Sequence, residues 1–130
     1  MKPINLFDPA PGTFDTEAGI HIAALTVCDG LTFYLGEIAP GGSVNAHRHG
    51  QGDEVYLILS GNGCLYSQTS GEPAHCTLLE SGDLVRIPSG VAHQLSNQDE
   101  APLRLLFVCP DSHLGCDRAL HADLQGAATS

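Results

Sequence analysis

From residue 20 to residue 109 the chain is built of short aliphatic and β-branched runs separated by glycine, proline and asparagine. That rhythm predicts strands joined by tight turns rather than helices. Ile20–Val27 runs into Asp29-Gly30, a dipeptide that accepts the positive φ angles of a two-residue hairpin, so Leu31–Ile38 is expected to fold back on it. Pro40-Gly41-Gly42 ends the second strand. Val55–Leu59 is apolar on both strand faces, which predicts that its outward face is covered by another sheet or a second subunit. Gly61-Asn62-Gly63 supplies the next hairpin turn, and the chain returns as Cys64–Gln68. His75–Leu79, Leu84–Ile87, Val91–Leu95 and Leu103–Cys109 complete the strands. A type I turn starting at Ile87, with Pro88 at its second place and Gly90 at its fourth, leads into Val91.

The two ends read differently. Residues 1–18 hold three prolines and little periodicity and are expected to form an N-terminal arm. After Pro110, Leu120 and Leu124 stand four apart, Asp117 occupies a helix-start position and Gly126 a helix-stop position, predicting a short helix over about 116–125. The division is therefore arm 1–18, barrel domain 19–110, and C-terminal helix and tail 111–130.

Composition narrows the function. With 130 residues, 15 Gly, 8 Pro and no Trp, the chain suits one all-β domain with an aliphatic core. Fifteen acidic against five basic residues give a formal charge of -10, which disfavours nucleic acid and anionic membrane surfaces as partners. The start shows neither a secretory h-region nor a membrane-length apolar run, so a cytoplasmic location is expected. The five cysteines, Cys28, Cys64, Cys76, Cys109 and Cys116, include no CxxC pair and are read as reduced thiols, with a Cys109–Cys116 pairing the weaker alternative. No Ser-His-Asp arrangement, phosphate-binding glycine loop or helix-turn-helix is visible.

The chemistry concentrates between Gly41 and Gly61. His47 and His49 are two apart, so on an extended strand both imidazoles leave the same face and can reach one ion. A Gly-Gln-Gly-Asp break then lets the chain reverse and bring Glu54 beside them. Asp53 is expected to be a solvated turn residue, and Arg48, between two inward histidines, to point outward. His21, His75, His113 and His121 have no partner at ligand spacing and are read as surface or interface histidines.

The pattern Gly41-x5-His47-x-His49-x4-Glu54-x6-Gly61, followed by Gly82-x5-Pro88-x-Gly90-x2-His93-x3-Asn97, resembles the two sequence motifs of the cupin family. The resemblance spans residues 41 to 97 and implies a double-stranded β-helix, a jelly-roll barrel. It further implies one divalent metal inside, held by His47, His49, Glu54 and His93. Three imidazoles and a carboxylate suit Fe, Mn, Ni, Co, Cu or Zn and leave one or two coordination positions for water or substrate.

Tyr56 and Ile58 share Glu54's strand face, which makes Tyr56 the candidate catalytic side chain, while Tyr34, Arg86, Gln94 and Arg104 are candidate pocket or rim residues. The expected function is a metal-dependent enzyme acting on a small organic molecule, dioxygenase-type chemistry standing ahead of isomerase, lyase or decarboxylase chemistry. A non-catalytic small-ligand-binding barrel is the alternative, and a homodimer is the expected assembly.

Overall fold

The computed structural model describes residues 1–8, 12–114, 117–126 and 128–129. Among them the strands are β1 Thr13–Asp15, β2 Ile20–Cys28, β3 Leu31–Ile38, β4 His47–Arg48, β5 Glu54–Ser60, β6 Gly63–Gln68, β7 Ala74–Leu79, β8 Leu84–Ile87, β9 Ala92–Ser96, β10 Leu103–Pro110, β11 Ala119–Leu120 and β12 Ala128–Thr129. They form two six-stranded sheets, one in the order β1-β2-β3-β10-β5-β8 and the other β11-β4-β9-β6-β7-β12. This is the all-β architecture expected from the strand rhythm, and the jelly roll that the family resemblance implies. No helix among the described residues is long and apolar enough to cross a membrane.

The alternation of burial follows the pleat. Along β5, Glu54, Tyr56 and Ile58 are buried while Val55, Leu57 and Leu59 are half-buried. On β10, Leu103, Leu105, Phe107 and Cys109 turn inward, and with Ile38, Leu65, Ile87 and Leu95 they fill the space between the sheets. The hairpin at Asp29-Gly30 has φ of 51° and 81°, as the dipeptide predicts. Two turns differ in detail. At the β5–β6 connection only Gly61 takes positive φ, and Gly63 already belongs to the strand. The turn after β8 closes one residue late, Val91 N donating to Pro88 O at 3.3 Å with Gly90 at φ 82°.

The predicted C-terminal helix does not form. One 3-10 turn, Asp111–Leu114, follows β10, and β11 then pairs antiparallel with β4. Leu120 is 61% exposed and Leu124 is 1% exposed, so the spacing of four makes no common face. Asp117 caps no helix of its own: its carboxylate accepts Gly50 N at 2.8 Å and Gln51 N at 2.9 Å, and both donors belong to the loop after β4. Leu124 instead packs with Ala46, Tyr66, Ala74 and Ala92 on the outer face of the second sheet. A Cys109–Cys116 pairing lies outside the described residues; Cys28, Cys64, Cys76 and Cys109 are free thiols.

Candidate metal centre

Three short pieces of backbone aim the histidines. His47 opens β4 and pairs directly with His93 on β9, so two imidazoles leave one sheet side by side, with ring centroids 4.4 Å apart. His49 follows one residue beyond β4, and Glu54 comes from β5 in the facing sheet. All four side chains are buried.

Hydrogen bonds fix which nitrogen of each ring faces inward. His47 Nδ1 lies 2.7 Å from Asn45 O, His93 Nδ1 3.0 Å from Val91 O, and His49 Nδ1 2.5 Å from Asp117 O. A carbonyl only accepts, so each Nδ1 carries the proton and donates, leaving each Nε2 a lone pair. Two of those lone pairs meet the Glu54 carboxylate: Oε2 is 3.2 Å from His49 Nε2 and 3.8 Å from His93 Nε2. Acceptor facing acceptor in a buried site calls for a cation between them, either protons on the rings or a metal ion. His93 Nε2 has no hydrogen-bond partner at all among the described residues. One donor atom from each of His47, His49, Glu54 and His93 lies within 4.8 Å of the others, the separation expected of ligands around an ion bound at about 2.0–2.2 Å.

The electrostatics favour neutral imidazoles at His47 and His93. Burial, reinforced by His93, pushes His47 down to about 4, and burial likewise lowers His93. Burial alone would raise Glu54, but a hydrogen bond from the adjacent His113 holds its carboxyl below the usual range. Neutral imidazoles beside an ionised carboxylate are the protonation states a divalent metal needs.

The remaining candidates divide cleanly. Tyr56 is buried beside Glu54 and lines the same cavity; burial and the Glu54 charge push its phenol well above its usual value. Arg48 is exposed, as expected. Asp53 is an exposed turn residue that pairs with Arg86 at 2.8 Å, which leaves Arg86 outside the cavity. Gln94 lies on the opposite sheet face from His93, its Oε1 accepting Leu124 N at 2.9 Å. Tyr34 stacks on Phe107 within the core, at 4.9 Å between centroids. Arg104 faces Glu37 on β3, 3.7 Å away. None of these four lines the metal cavity.

Two residues of the site lie beyond the motifs. His113, read from sequence as an ordinary surface or interface histidine, is 1% exposed and stacks flat on His49, with centroids 3.8 Å apart and planes 4° apart. Its Nε2 donates to Gln51 O and its Nδ1 is 3.4 Å from Glu54 Oε2, so it sits behind the carboxylate. Arg118 lines the cavity. No spacing rule could have found His113, which is 59 residues beyond Glu54 in an irregular turn. Arg118 carried a weak signal, being the one arginine of an acidic chain left without an expected role.

The cavity is narrow, about 20 Å³ in volume. Its walls are largely aliphatic and aromatic, among them Ile20, Val44, Leu105 and Phe107, and its polar lining comprises His47, His49, Glu54, Tyr56 and Arg118. Such a site shields an ion from bulk water and admits only a small ligand.

The family model described as "Cupin domain" matches residues 34–109, more than half of the chain. Among proteins of known name, an oxalate-binding protein from Thermotoga maritima is 31% identical over 72 residues, 55% of each chain. A germin-like protein from Arabidopsis thaliana is 29% identical over 82 residues, 63% of this chain and 36% of that protein. The chain spans from 34% to 55% of the length of the curated relatives it matches. Among solved structures, a predicted oxalate decarboxylase from Thermotoga maritima superposes with a TM-score of 0.61 at 26% identity, covering 70% of this chain and 79% of that one. An oxalate oxidase bound to the substrate analogue glycolate gives a TM-score of 0.69 at 18% identity over 90% of this chain and 64% of that one, a likeness of fold. With the matched segment running from β3 to β10, and with the converging histidines and Glu54 inside it, the chain belongs to the cupin family.

Proposed function

We propose that the protein is a metal-dependent enzyme acting on a small, metal-chelating organic molecule inside the barrel, with oxidative, dioxygenase-type chemistry favoured over isomerase, lyase or decarboxylase chemistry. Three imidazole lone pairs and one carboxylate converging in an apolar cavity support this most strongly. His47, His49, Glu54 and His93 are the proposed ligands of one divalent ion drawn from Fe, Mn, Ni, Co, Cu and Zn. When bound, that ion supplies Lewis acidity and, if redox-active, electron exchange with dioxygen. The carbonyls of Asn45, Val91 and Asp117 keep the imidazoles in the ligating tautomer. Tyr56 keeps its proton and presents a phenol donor beside Glu54, the proposed contact to bound substrate. The apolar walls exclude water from the reacting centre.

Likeness to proteins named for oxalate oxidation and decarboxylation supports metal chemistry on a small molecule here. A second reading, a barrel that holds a metal-bound ligand without turning it over, is favoured by the relative named as an oxalate-binding protein. Elemental analysis followed by an O2-uptake screen with oxalate, catechols, flavonols, β-diketones and thiols separates the two. The enzyme reading expects uptake that depends on the metal and disappears in Glu54→Gln. A metal-loaded protein that binds a ligand but turns over no class would favour the binder.

A homodimer remains part of the proposal. Leu35, Leu106, Leu57 and Leu84 are successive cross-strand partners on the outer face of the first sheet, and Leu84 is 69% exposed. Leu57→Glu should turn a dimer into a monomer in light scattering. The division into arm 1–18, barrel 19–110 and C-terminal segment 111–130 is kept as a proposal, with the C-terminal segment contributing His113 and Arg118 to the barrel. The four free thiols fit the cytoplasmic location expected from sequence.

A further inference from the structure

Arg118 is the cationic side chain among those lining the metal cavity. It follows the 3-10 turn after β10, and its side chain is only 4% exposed. The two terminal nitrogens are tied to the turn between β1 and β2: Nη1 lies 3.3 Å from Asp15 Oδ2, and Nη2 3.2 Å from Glu17 Oε2. The third nitrogen, Nε, is buried and has no hydrogen-bond partner among the described residues. A guanidinium has five N–H donors in one rigid plane, so clamping the two ends fixes the direction of the remaining edge. A buried N–H on a charged group, without a partner and against apolar walls, is expensive unless something fills it. No lining side chain does.

We propose that Arg118 Nε is the recognition point for a carboxylate, and that the ligand of this site is a small carboxylic acid bearing a second oxygen donor for the ion. The proposal rests on the metal-dependent reading above and narrows its ligand class. One carboxylate oxygen would accept from Nε–H, while the acid's other donor faces the histidines. Asp15 and Glu17 act as positioning residues: they hold the guanidinium plane. Clamped between two carboxylates, Arg118 discriminates by hydrogen-bond direction as much as by charge, so a neutral amide of the same shape should be a poorer ligand.

The test uses the full chain loaded with Co(II), whose visible spectrum reports an occupied site, and compares glycolate with glycolamide by calorimetry. The wild type should prefer glycolate. Arg118→Gln should lose about tenfold or more in glycolate affinity, the loss expected for one charged hydrogen bond, with glycolamide binding and Co(II) content unchanged. The Asp15→Asn/Glu17→Gln double variant keeps the guanidinium but frees its plane, and should narrow the preference for glycolate with Co(II) content unchanged. Unchanged glycolate affinity in Arg118→Gln, or equal loss of both ligands, would overturn the proposal. If Arg118→Gln fails to fold, an unchanged preference in the double variant overturns it instead. A wild type that develops no Co(II) spectrum refutes the metal site itself, an outcome distinct from a loaded protein that does not discriminate.

Discussion

Asn97, the last fixed position of the second motif, should act as a structural latch between the two sheets, with no role in chemistry. It lies just beyond β9 and is 0% exposed. Its Nδ2 donates to Ile38 O at 3.0 Å, at the end of β3 in the facing sheet, and to Ala101 O at 2.8 Å, while its Oδ1 accepts Asp99 N at 3.0 Å. Asn97→Ala removes all three side-chain bonds and leaves the Ile38 carbonyl buried without that donor. At about 1 kcal/mol per bond the loss is about 3 kcal/mol, a large part of a stability that for most domains lies within about 5–15 kcal/mol. For a chain of 130 residues that corresponds to a fall of about 10 °C in Tm. Urea denaturation of the metal-free protein measures it as a lower midpoint at unchanged m-value. Asn97→Asp should be at least as damaging at neutral pH, because it sets a carboxylate oxygen against two carbonyls. A loss below about 1 kcal/mol in Asn97→Ala would refute the latch and the hydrogen-bond accounting behind it.

Metal binding should also show as stability. At a free metal concentration one hundred times Kd the wild type gains about 2.7 kcal/mol, or roughly 10 °C in a thermal scan, and Glu54→Gln should lose that gain while His21→Ala keeps it. The metal-free protein should weaken as pH falls from the ordinary imidazole value of 6.5 toward about 4, because the unfolded chain protonates its histidines there while His47 resists. A flat stability profile across that range in chelator would contradict the neutral, buried imidazoles. Gly61→Ala should cost more than Gly71→Ala: both have positive φ, of 87° and 82°, but a Cβ at Gly61 would stand 2.6 Å from Pro102 O and one at Gly71 meets nothing within 4 Å. Equal midpoints in urea would mean that the backbone relaxes freely at Gly61.

The barrel was legible because each strand carries its own instruction, an apolar run with turn chemistry at each end, as at Asp29-Gly30. The convergence of the four proposed ligands was legible for a related reason: His47 and His49 obey the two-residue period of a strand, and Glu54 and His93 sit at motif spacings. The C-terminal segment follows no period. Asp117 resembled a helix cap because its sequence neighbourhood suggests one, yet its carboxylate serves Gly50 and Gln51, more than sixty residues away. Leu124 resembled part of a helical stripe, yet it fills a depression over Ala46 and Ala92. His113 reaches Glu54 and Arg118 reaches the cavity only because this segment folds back on the barrel, a tertiary fact that single-residue spacing does not encode. The outer leucine row illustrates the same limit, since sequence placed apolar residues on both faces of β5 without indicating what lies against the outer one.

Elemental analysis of the purified protein, with His47→Ala, Glu54→Gln and His93→Ala measured beside His21→Ala, tests the metal centre most directly. About one transition-metal ion per chain is expected in the wild type and in His21→Ala, with near-complete loss in the other three. Equal metal content in His47→Ala and His21→Ala, whether both retain the ion or both lose it, would contradict the assignment of His47, His49, Glu54 and His93 as the ligands.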